Sequence, residues 1–239
     1  MRGSAFFIIA GVASAALPAA ANAQAYSCAV PSTIARPRPD LPSARDPKRV
    51  LPIGGYTLAI RWAPQYCHGH ARDADARFEC ASGNRFGFTL HGLWPDGVGK
   101  VWPQYCRAAT LLPKPVIAAH LCANPSVQLT QHEWAKHGTC TSDSPARFLA
   151  RSRALYARLR YPDMDGLSRR PLTAGGFAAA IARANPGLRA DMMRVTADKQ
   201  GWLEEVWLCL DKGYRYRRCP ASQGGLPAGA RVKIWRGVR

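Results

Sequence analysis

The chain has 239 residues, of which 47% are hydrophobic, and its formal net charge is +18 at pH 7. That length corresponds to one or two domains and is enough to bury a sizeable core. The positive surplus favours a polyanionic partner, with nucleic acids and anionic cell surfaces as the leading candidates. Beyond the N-terminal segment, no run is long and apolar enough to cross a bilayer, so we expect no transmembrane segment in the mature protein.

The N-terminal residues have the pattern of a secretory signal. Arg2 supplies a positive start, Ala5–Ala16 is apolar but too short to span a membrane, and Ala21–Ala23 fits a small-residue cleavage site. An overlapping Ala-Gln-Ala site offers a second cut two residues further on. We therefore expect a signal peptide over residues 1–23 and a mature protein that is periplasmic or secreted.

Eight cysteines follow this signal, at positions 28, 67, 80, 106, 122, 140, 209 and 219. An even number in an oxidising compartment predicts four disulfide bonds. Proximity in sequence pairs Cys67 with Cys80 and Cys209 with Cys219, while spacing leaves the other two pairings open. The chain has no Cys-x-x-Cys spacing, which argues against a zinc ribbon or a thioredoxin-like site.

The first elements after the signal are an arm and two strands. Residues 24–52 are rich in proline and arginine and cannot sustain a helix or a central strand, so we expect an extended arm. The run Tyr56–Trp62 is typical of a first core strand. The polar segment from there to Cys80 is predicted to be a disulfide-closed loop. A second buried strand is predicted from Arg85 to Pro95.

The second strand carries His91 inside an apolar run. By default such a histidine belongs to the core and is satisfied by one hydrogen bond. Gly92 beside it indicates instead that another group approaches the backbone closely there. Trp94 offers a flat face that a base can stack on, although a tryptophan at a strand end is more often a core residue.

The segment from residue 130 to residue 140 concentrates polar chemistry. Thr130 followed by Glu133 fits a capping box, and Gly138 is a natural C-terminal stop. The segment therefore predicts a short helix of about two turns.

Four side chains on that helix are candidates for one cleft. Glu133 and His137 lie one turn apart on one face, and His132 and Lys136 form a second pair on the adjacent strip. The zincin motif is a rival interpretation, but it needs histidines four apart, whereas these are five apart. On an α-helix that spacing rotates the second ring by roughly 140° from the first, which disfavours a zinc protease.

The remaining elements complete a single domain. Helices are predicted over Pro145–Arg160 and Thr173–Ala184, and strands over Leu203–Leu210 and Val232–Trp235. Because no repeat or convincing linker divides the chain, we predict one disulfide-stapled α+β domain over residues 24–239, with a central antiparallel sheet flanked by helices.

Two stretches, Phe88–Asp96 and His132–Cys140, together resemble the two active-site segments of the T2-type endoribonucleases. They occur in the family's order and roughly 40 residues apart, as in the family, which makes a chance similarity improbable. The strand Glu205–Asp211 adds support, whereas the arm and residues 143–203 match only loosely.

The resemblance implies base-non-specific cleavage of single-stranded RNA through a 2′,3′-cyclic phosphate, without a metal or any other cofactor, in an α+β fold. It places His91 and His137 as the two catalytic imidazoles and Glu133 and Lys136 as supports of the transition state. In the family's usual assignment His137 accepts the 2′ proton and His91 protonates the leaving 5′ oxygen. Histidine suits both roles near neutral pH.

The resemblance also implies substrate contacts and partners. It places His132 at a phosphate-binding position, Trp94 at a base-stacking position and Asp96 where some members touch the base edge. DNA is not expected to be cleaved, because the attacking 2′-hydroxyl belongs to the substrate. A monomer is expected.

The family pattern further suggests that Cys106 pairs with Cys140, which leaves Cys28 for Cys122.

Two other kinds of function compete with the enzyme interpretation. One is a non-catalytic, basic exported protein that binds RNA or another polyanion on the same fold. The other is a metal-dependent nuclease, which the lack of a carboxylate cluster disfavours.

Overall fold

The computed structural model describes residues 25–142 and 144–237. The predicted signal peptide over residues 1–23 lies outside this part of the chain. The described residues form a four-stranded antiparallel sheet and a two-stranded sheet, with helices packed around them and four disulfide bonds. The predicted disulfide-stapled α+β fold is confirmed.

The strands form two sheets. In the described residues they are β1 (Ala25–Ser27), β2 (Ile53–Trp62), β3 (Arg85–Phe86), β4 (Phe88–Gly97), β5 (Met193–Ala197) and β6 (Leu203–Leu210). The main sheet has the order β4-β2-β6-β5, and β1 pairs with β3. β2 lies between β4 and β6, and its residues 55–60 are all buried. A strand that is covered on both faces has such a continuous run of buried residues, rather than an alternation of buried and exposed ones.

The helices lie mostly in the second half of the chain. They are α1 (Ala63–His70), α2 (Arg77–Cys80), α3 (Lys114–Ala118), α4 (Val127–His132), α5 (Thr139–Thr141), α6 (Pro145–Ala157), α7 (Met164–Ser168) and α8 (Ala174–Ala184), with a π-helical turn Glu133–Gly138 between α4 and α5. The predictions of α6, α8 and β6 are confirmed, with α6 ending three residues before the predicted boundary.

The core lies between the main sheet and the helices that follow the site. Phe88 on β4 stacks on Tyr161 at 4.8 Å between ring centroids and on Phe177 of α8 at 6.4 Å. The hydroxyl of Tyr156 on α6 donates to the carbonyl of Phe88 at 2.7 Å. These contacts fix β4, which carries His91, against two helices.

The predicted end of the second strand at Pro95 is wrong, because β4 continues to Gly97. Pro95 pairs with Tyr56 in the β2–β4 register. A proline has no N–H to donate to a ladder, but β4 is an edge strand of its sheet, where one side of the backbone needs no partner strand. The extra residues bring Asp96 into the sheet opposite Gly55.

The segment between β2 and Cys80, predicted to be a loop, instead forms α1 and α2. Pro64 lies in the first turn of α1, where its missing N–H is no loss. Because the two helices are short, the disulfide between Cys67 and Cys80 holds them together as one closed unit.

The predicted strand Val232–Trp235 is wrong as well. Within this segment the structure has one isolated bridge, between Trp202 and Lys233. The alternation of apolar residues has another cause, since Val232 and Ile234 are buried in the core while Arg231 and Lys233 are exposed.

The four disulfide bonds join Cys28 with Cys122, Cys67 with Cys80, Cys106 with Cys140, and Cys209 with Cys219. This is the pairing that proximity and the family resemblance together predicted. The bond to Cys140 anchors α5, and the bond between Cys28 and Cys122 ties the N-terminal arm to the domain. Among the described residues, no helix combines the length and the apolar character needed to span a membrane.

Truncation of Phe177 tests the core described above. Because this ring is fully buried against Phe88, we expect Phe177→Ala to lower the free energy of unfolding by about 3–5 kcal/mol. Urea denaturation under oxidising conditions measures the change. A loss below about 1 kcal/mol, the size of a typical surface effect, would contradict the placement of this ring in the core.

Candidate active site

Four of the candidate residues lie on one helical segment, residues 127–141, which comprises α4, the π-helical turn and α5. It starts earlier than predicted. Its N-cap is Ser126, whose side chain accepts a hydrogen bond from the backbone N–H of Leu129 at 3.2 Å. Thr130 lies buried inside the helix and donates to the carbonyl of Ser126 at 2.8 Å. The predicted capping box at Thr130 is therefore wrong, because an equally good cap lies one turn upstream.

The predicted stop at Gly138 is also wrong. Gly138 has a right-handed helical φ of −62°, and the helix continues to Thr141. The glycine serves close packing instead, since a Cβ there would lie 2.4 Å from the ring of Trp134 and 2.7 Å from the ring of Phe148. The segment is thus pressed directly against α6.

A π-helical turn over Glu133–Gly138 changes which side chains share a face. Such a turn closes i→i+5 hydrogen bonds and so brings residues five apart to nearly the same side. The rings of His132 and His137 accordingly lie 6.2 Å apart between centroids. The rotation of roughly 140° expected from α-helical geometry does not apply here.

A register irregularity places the histidine of β4. Ala59 of β2 pairs with Gly92 and Ile60 pairs with Leu90, so His91 has no residue directly opposite it. An extra residue of this kind is a β-bulge, which bends the strand and re-aims a side chain. His91 thereby turns towards the helical segment rather than into the apolar core.

One cleft of about 890 Å³ receives all seven side chains that the sequence pointed to. They are His91, Trp94, Asp96, His132, Glu133, Lys136 and His137. The cleft also contains side chains that were not predicted, among them Trp207 of β6 and Arg217. They come from the far end of the chain, which no local pattern relates to the two motifs.

Glu133 reaches the cleft because β4 has no side chain at Gly92. A Cβ at that position would lie 1.7 Å from a carboxylate oxygen of Glu133, so any larger residue would displace that carboxylate. The close approach predicted at Gly92 is confirmed. The buried carboxylate accepts a hydrogen bond from the indole of Trp94 at 3.1 Å and lies 3.7 Å from Nε2 of His91. Burial raises the pKa of Glu133, although these neighbours oppose the rise.

His91 lies between two carboxylates. Its Nδ1 is 2.5 Å from Oε1 of Glu205, and its Nε2 faces Glu133. Burial lowers the pKa of His91, but the hydrogen bond and charge of Glu205, helped by Glu133, outweigh burial and leave the pKa above its usual value. Glu205 is in turn held by the indole of Trp207, which donates to its second oxygen at 2.6 Å. His91 therefore favours its protonated form.

His137 is in the opposite situation. It is only 6% exposed, and its Nδ1 has no hydrogen-bond partner among the described residues. Burial and the positive charges of His132, Lys136 and His91 push the pKa of His137 well below its usual value. His137 therefore favours its neutral form, so the cleft holds two imidazoles with opposite tendencies.

Two basic candidates on the helical segment, His132 and Lys136, contact the N-terminal arm. Nδ1 of His132 is 2.9 Å from Asp40, and the ammonium of Lys136 is 3.0 Å from Asp46. His132 and Lys136 both line the cleft, and their carboxylate partners lie 92 and 90 residues upstream.

The other end of the cleft combines aromatic rings with Asp96. Trp94 packs edge-on against Trp207 at 5.9 Å between centroids. The carboxylate of Asp96 accepts a hydrogen bond from the hydroxyl of Thr57 at 3.0 Å and lies 3.8 Å from the guanidinium of Arg217. Burial raises the pKa of Asp96 in spite of both neighbours. Asp96 is therefore a held, partly buried polar group beside flat rings.

The cleft also contains a set of possible metal ligands. The ligand atoms of His132, Glu133 and His137 all lie within 4.8 Å of one another, and two imidazoles with a carboxylate are a donor set that zinc accepts. The π-helical turn removes the sequence argument against such a site. The ammonium of Lys136 on the same turn opposes a cation there. The metal-free expectation stays a prediction that a chelator tests.

Comparison with known proteins relates the chain to ribonucleases. The model of the ribonuclease T2 family matches residues 53–164. A protein from Aeromonas hydrophila named "Ribonuclease" is 31% identical over 164 residues, which cover 66% of this chain and 71% of that protein. A protein from Haemophilus influenzae named "Probable ribonuclease" is 29% identical over 182 residues, which cover 72% of this chain and 62% of that protein.

Solved structures give the same fold at lower identity. Trichomaglin, described as an S-like ribonuclease, superposes with a TM-score of 0.60 at 19% identity, over 76% of this chain and 97% of its own. An RNase-related protein from Calystegia sepium superposes with a TM-score of 0.59 at 22% identity, over 76% of this chain and 96% of its own. The fold is therefore that of a class of ribonucleases.

The relatives and the matched family model narrow that class. The chain belongs to the ribonuclease T2 family and is an endoribonuclease of the T2 type.

Replacement of Glu205 tests the origin of the raised pKa of His91. The carboxylate stabilises the imidazolium form, so we expect Glu205→Gln to lower the pKa of His91. NMR titration of the histidine ring measures it directly. Glu204→Gln is the matched control, because Glu204 is exposed on the same strand and is not among the groups that shift His91. Equal pKa values for His91 in both variants would contradict the assignment.

Proposed function

We propose that the protein cleaves single-stranded RNA without a metal, through a 2′,3′-cyclic phosphate to 3′-phosphate products, and with little base specificity. The observation that carries the proposal is the pair of imidazoles, His91 and His137, in one cleft with pKa values displaced in opposite directions. Titratable groups whose environments separate their pKa values are suited to act as an acid and a base in the same step.

In the first step His137 acts as the general base. Its neutral form can take the proton of the ribose 2′-hydroxyl as that oxygen attacks the adjacent phosphorus. Burial and the surrounding positive charges keep the ring unprotonated before the reaction. Because the nucleophile belongs to the substrate, the reaction requires RNA, and DNA is not cleaved.

His91 acts as the general acid in that step. Its imidazolium form donates a proton to the departing 5′ oxygen, and Glu205 stabilises that form beforehand. When water opens the cyclic phosphate, the two histidines exchange roles, so that His91 accepts the proton of the water and His137 donates one to the 2′ oxygen.

The phosphate in this scheme is bound by Lys136 and His132. Negative charge grows on the non-bridging oxygens in the transition state, and a preorganised cation at that position stabilises it. Both side chains line the cleft next to His137. Glu133 lies within 3.7 Å of Nε2 of His91 and supports the transition state by holding that ring and its proton.

The base next to the scissile phosphate stacks on Trp94 in this proposal. Stacking on an aromatic ring tolerates every base, because each base has a flat face. Asp96 contacts the base edge and adds at most a preference. Its ties to Thr57 and Arg217 hold it at one place in the cleft.

The location and organisation of the mature chain form part of the proposal. Four disulfide bonds are stable in an oxidising compartment, which supports export to the periplasm or the medium after removal of residues 1–23. The ribonuclease domain then comprises residues 24–239, with the arm over residues 24–52, and works as a monomer.

The test is incubation of the purified mature chain with single-stranded RNA in excess EDTA, followed by identification of the product ends. We expect cyclic phosphate and 3′-phosphate ends from the wild type. His91→Ala and His137→Ala should each lower the rate by roughly 10²- to 10⁴-fold, because each removes one proton-transfer group.

Each other outcome of that experiment has its own meaning. Near-wild-type activity in either variant would contradict the histidine assignment. Cleavage that returns only after a metal is added would assign His132, Glu133 and His137 to a metal site instead. RNA that is bound but stays intact would support the alternative function, a basic exported protein that binds RNA without cleaving it.

The role of Lys136 is tested separately. Its interaction should strengthen as charge grows on the phosphate, so Lys136→Ala is expected to lower kcat much more than it weakens RNA binding. Steady-state kinetics of Lys136→Ala measures turnover. A binding isotherm for Lys136→Ala combined with His137→Ala, in which cleavage of the RNA is expected to be slowed, measures affinity. A loss of affinity as large as the loss of turnover would make Lys136 a docking residue.

A further inference from the structure

Two carboxylates of the N-terminal arm, Asp40 and Asp46, contact side chains that line the cleft. Asp40 and Asp46 both lie before residue 53, where the match to the family model begins. They contact His132 and Lys136, the two side chains to which the proposed function assigns the substrate phosphate. Part of the site therefore comes from a segment outside the matched region.

Asp40 is a fixed, shielded partner of His132. One of its oxygens lies 2.9 Å from Nδ1 of His132, and the other accepts a hydrogen bond from the hydroxyl of Tyr105 at 2.6 Å. Burial alone would raise the pKa of Asp40, but these hydrogen bonds and nearby positive charges bring it below its usual value. The carboxylate stays charged, and it holds Nδ1 of His132 so that Nε2 is left for a ligand.

Asp46 is a more open partner of Lys136. The aspartate side chain is 39% exposed, whereas that of Lys136 is 16% exposed. A tight turn supports Asp46, because its backbone N–H donates to the hydroxyl of Ser43 at 3.1 Å. An anionic oxygen thus sits 3.0 Å from the ammonium that would hold a phosphate oxygen.

The arm is anchored on both sides of these residues. Before Asp40, the backbone N–H of Arg38 donates to the side chain of Gln128 at 2.9 Å. After Asp46, the backbones of Arg49 and Gln104 form a bridge with N–H to carbonyl distances of 2.8 and 3.0 Å. The two carboxylates are therefore held in place by contacts that do not involve the cleft.

We propose that Asp40 and Asp46 are positioning residues of the phosphate site with opposite effects on substrate affinity. Asp40 orients His132 towards the phosphate and remains in place throughout the reaction. Asp46 orients the ammonium of Lys136 in the empty cleft, and the substrate phosphate displaces it. This inference rests on the proposed function, because it takes His132 and Lys136 as the groups that bind the phosphate.

Replacing each aspartate with asparagine, which removes the charge but keeps the side chain's shape, separates these roles. Asp40→Asn removes the charge that supports His132, so KM should rise about tenfold while kcat changes less. Asp46→Asn removes an anion that competes with the substrate, so affinity should increase by about twofold to fivefold, the size expected for an exposed ion pair. Asp75→Asn is the matched control, because Asp75 forms an ion pair of 2.6 Å with Arg38 of the arm, whereas the carboxylates that contact His132 and Lys136 are Asp40 and Asp46.

The experiment measures kcat and KM on a short single-stranded RNA for the mature wild type and the three variants. Binding of a single-stranded DNA of the same sequence, which lacks the attacking hydroxyl, is measured in parallel by fluorescence anisotropy. Thermal unfolding of each variant shows whether the arm and the fold persist. We expect Asp40→Asn to weaken DNA binding, Asp46→Asn to strengthen it and Asp75→Asn to leave it unchanged.

The two proposals fail in different ways. Wild-type protein that binds the DNA but leaves the RNA intact would overturn the proposed function, while opposite shifts in binding for Asp40→Asn and Asp46→Asn would still support the positioning roles. Conversely, active wild type with both variants equal to Asp75→Asn would overturn the inference. Weaker binding by Asp46→Asn, at an unchanged unfolding temperature, would show that Asp46 itself contacts the ligand or its bound cations.

Discussion

The site depends on one close approach, that of β4 to the helical segment at Gly92. Because no side chain stands there, the carboxylate of Glu133 can lie against the strand backbone, where a Cβ would be 1.7 Å from its oxygen. The Glu133 side chain thereby bridges the two motifs. His91 on the bulge and His137 on the π-helical turn line the same cleft beside it.

Electrostatics in the cleft follow from how unevenly the carboxylates are distributed. Glu205 and Glu133 raise the pKa of His91, whereas burial and the positive charges of His132, Lys136 and His91 lower that of His137. Two identical side chains therefore differ in protonation because of their neighbours and not because of their own chemistry. The arm adds a second pair of carboxylates, Asp40 beside His132 and Asp46 beside Lys136, so these two basic side chains of the helical segment each have an acidic partner.

The sequence was a good guide where the chemistry is local. All seven candidate side chains line one cleft, because each motif is a short segment whose own backbone sets its geometry. Partners such as Asp40 and Glu205 were missed because they lie 92 and 114 residues from the histidines they contact. The cap at Ser126 was missed because Thr130, one turn later, fits the same pattern, and the continuation past Gly138 was missed because this glycine packs against Phe148 of α6.

The π-helical turn has a consequence for engineering the protein. Relative to an α-helix it contains one additional residue, and such turns are rare in proteins and occur frequently at functional sites. Deleting one residue between Glu133 and Gly138 would restore a regular helix and, by helix energetics alone, a more favourable backbone. The same deletion would have to remove Trp134 or Ala135, which are buried in the core, or Lys136 or His137, which line the cleft. Stability and the arrangement of the cleft are thus set against each other within a single turn.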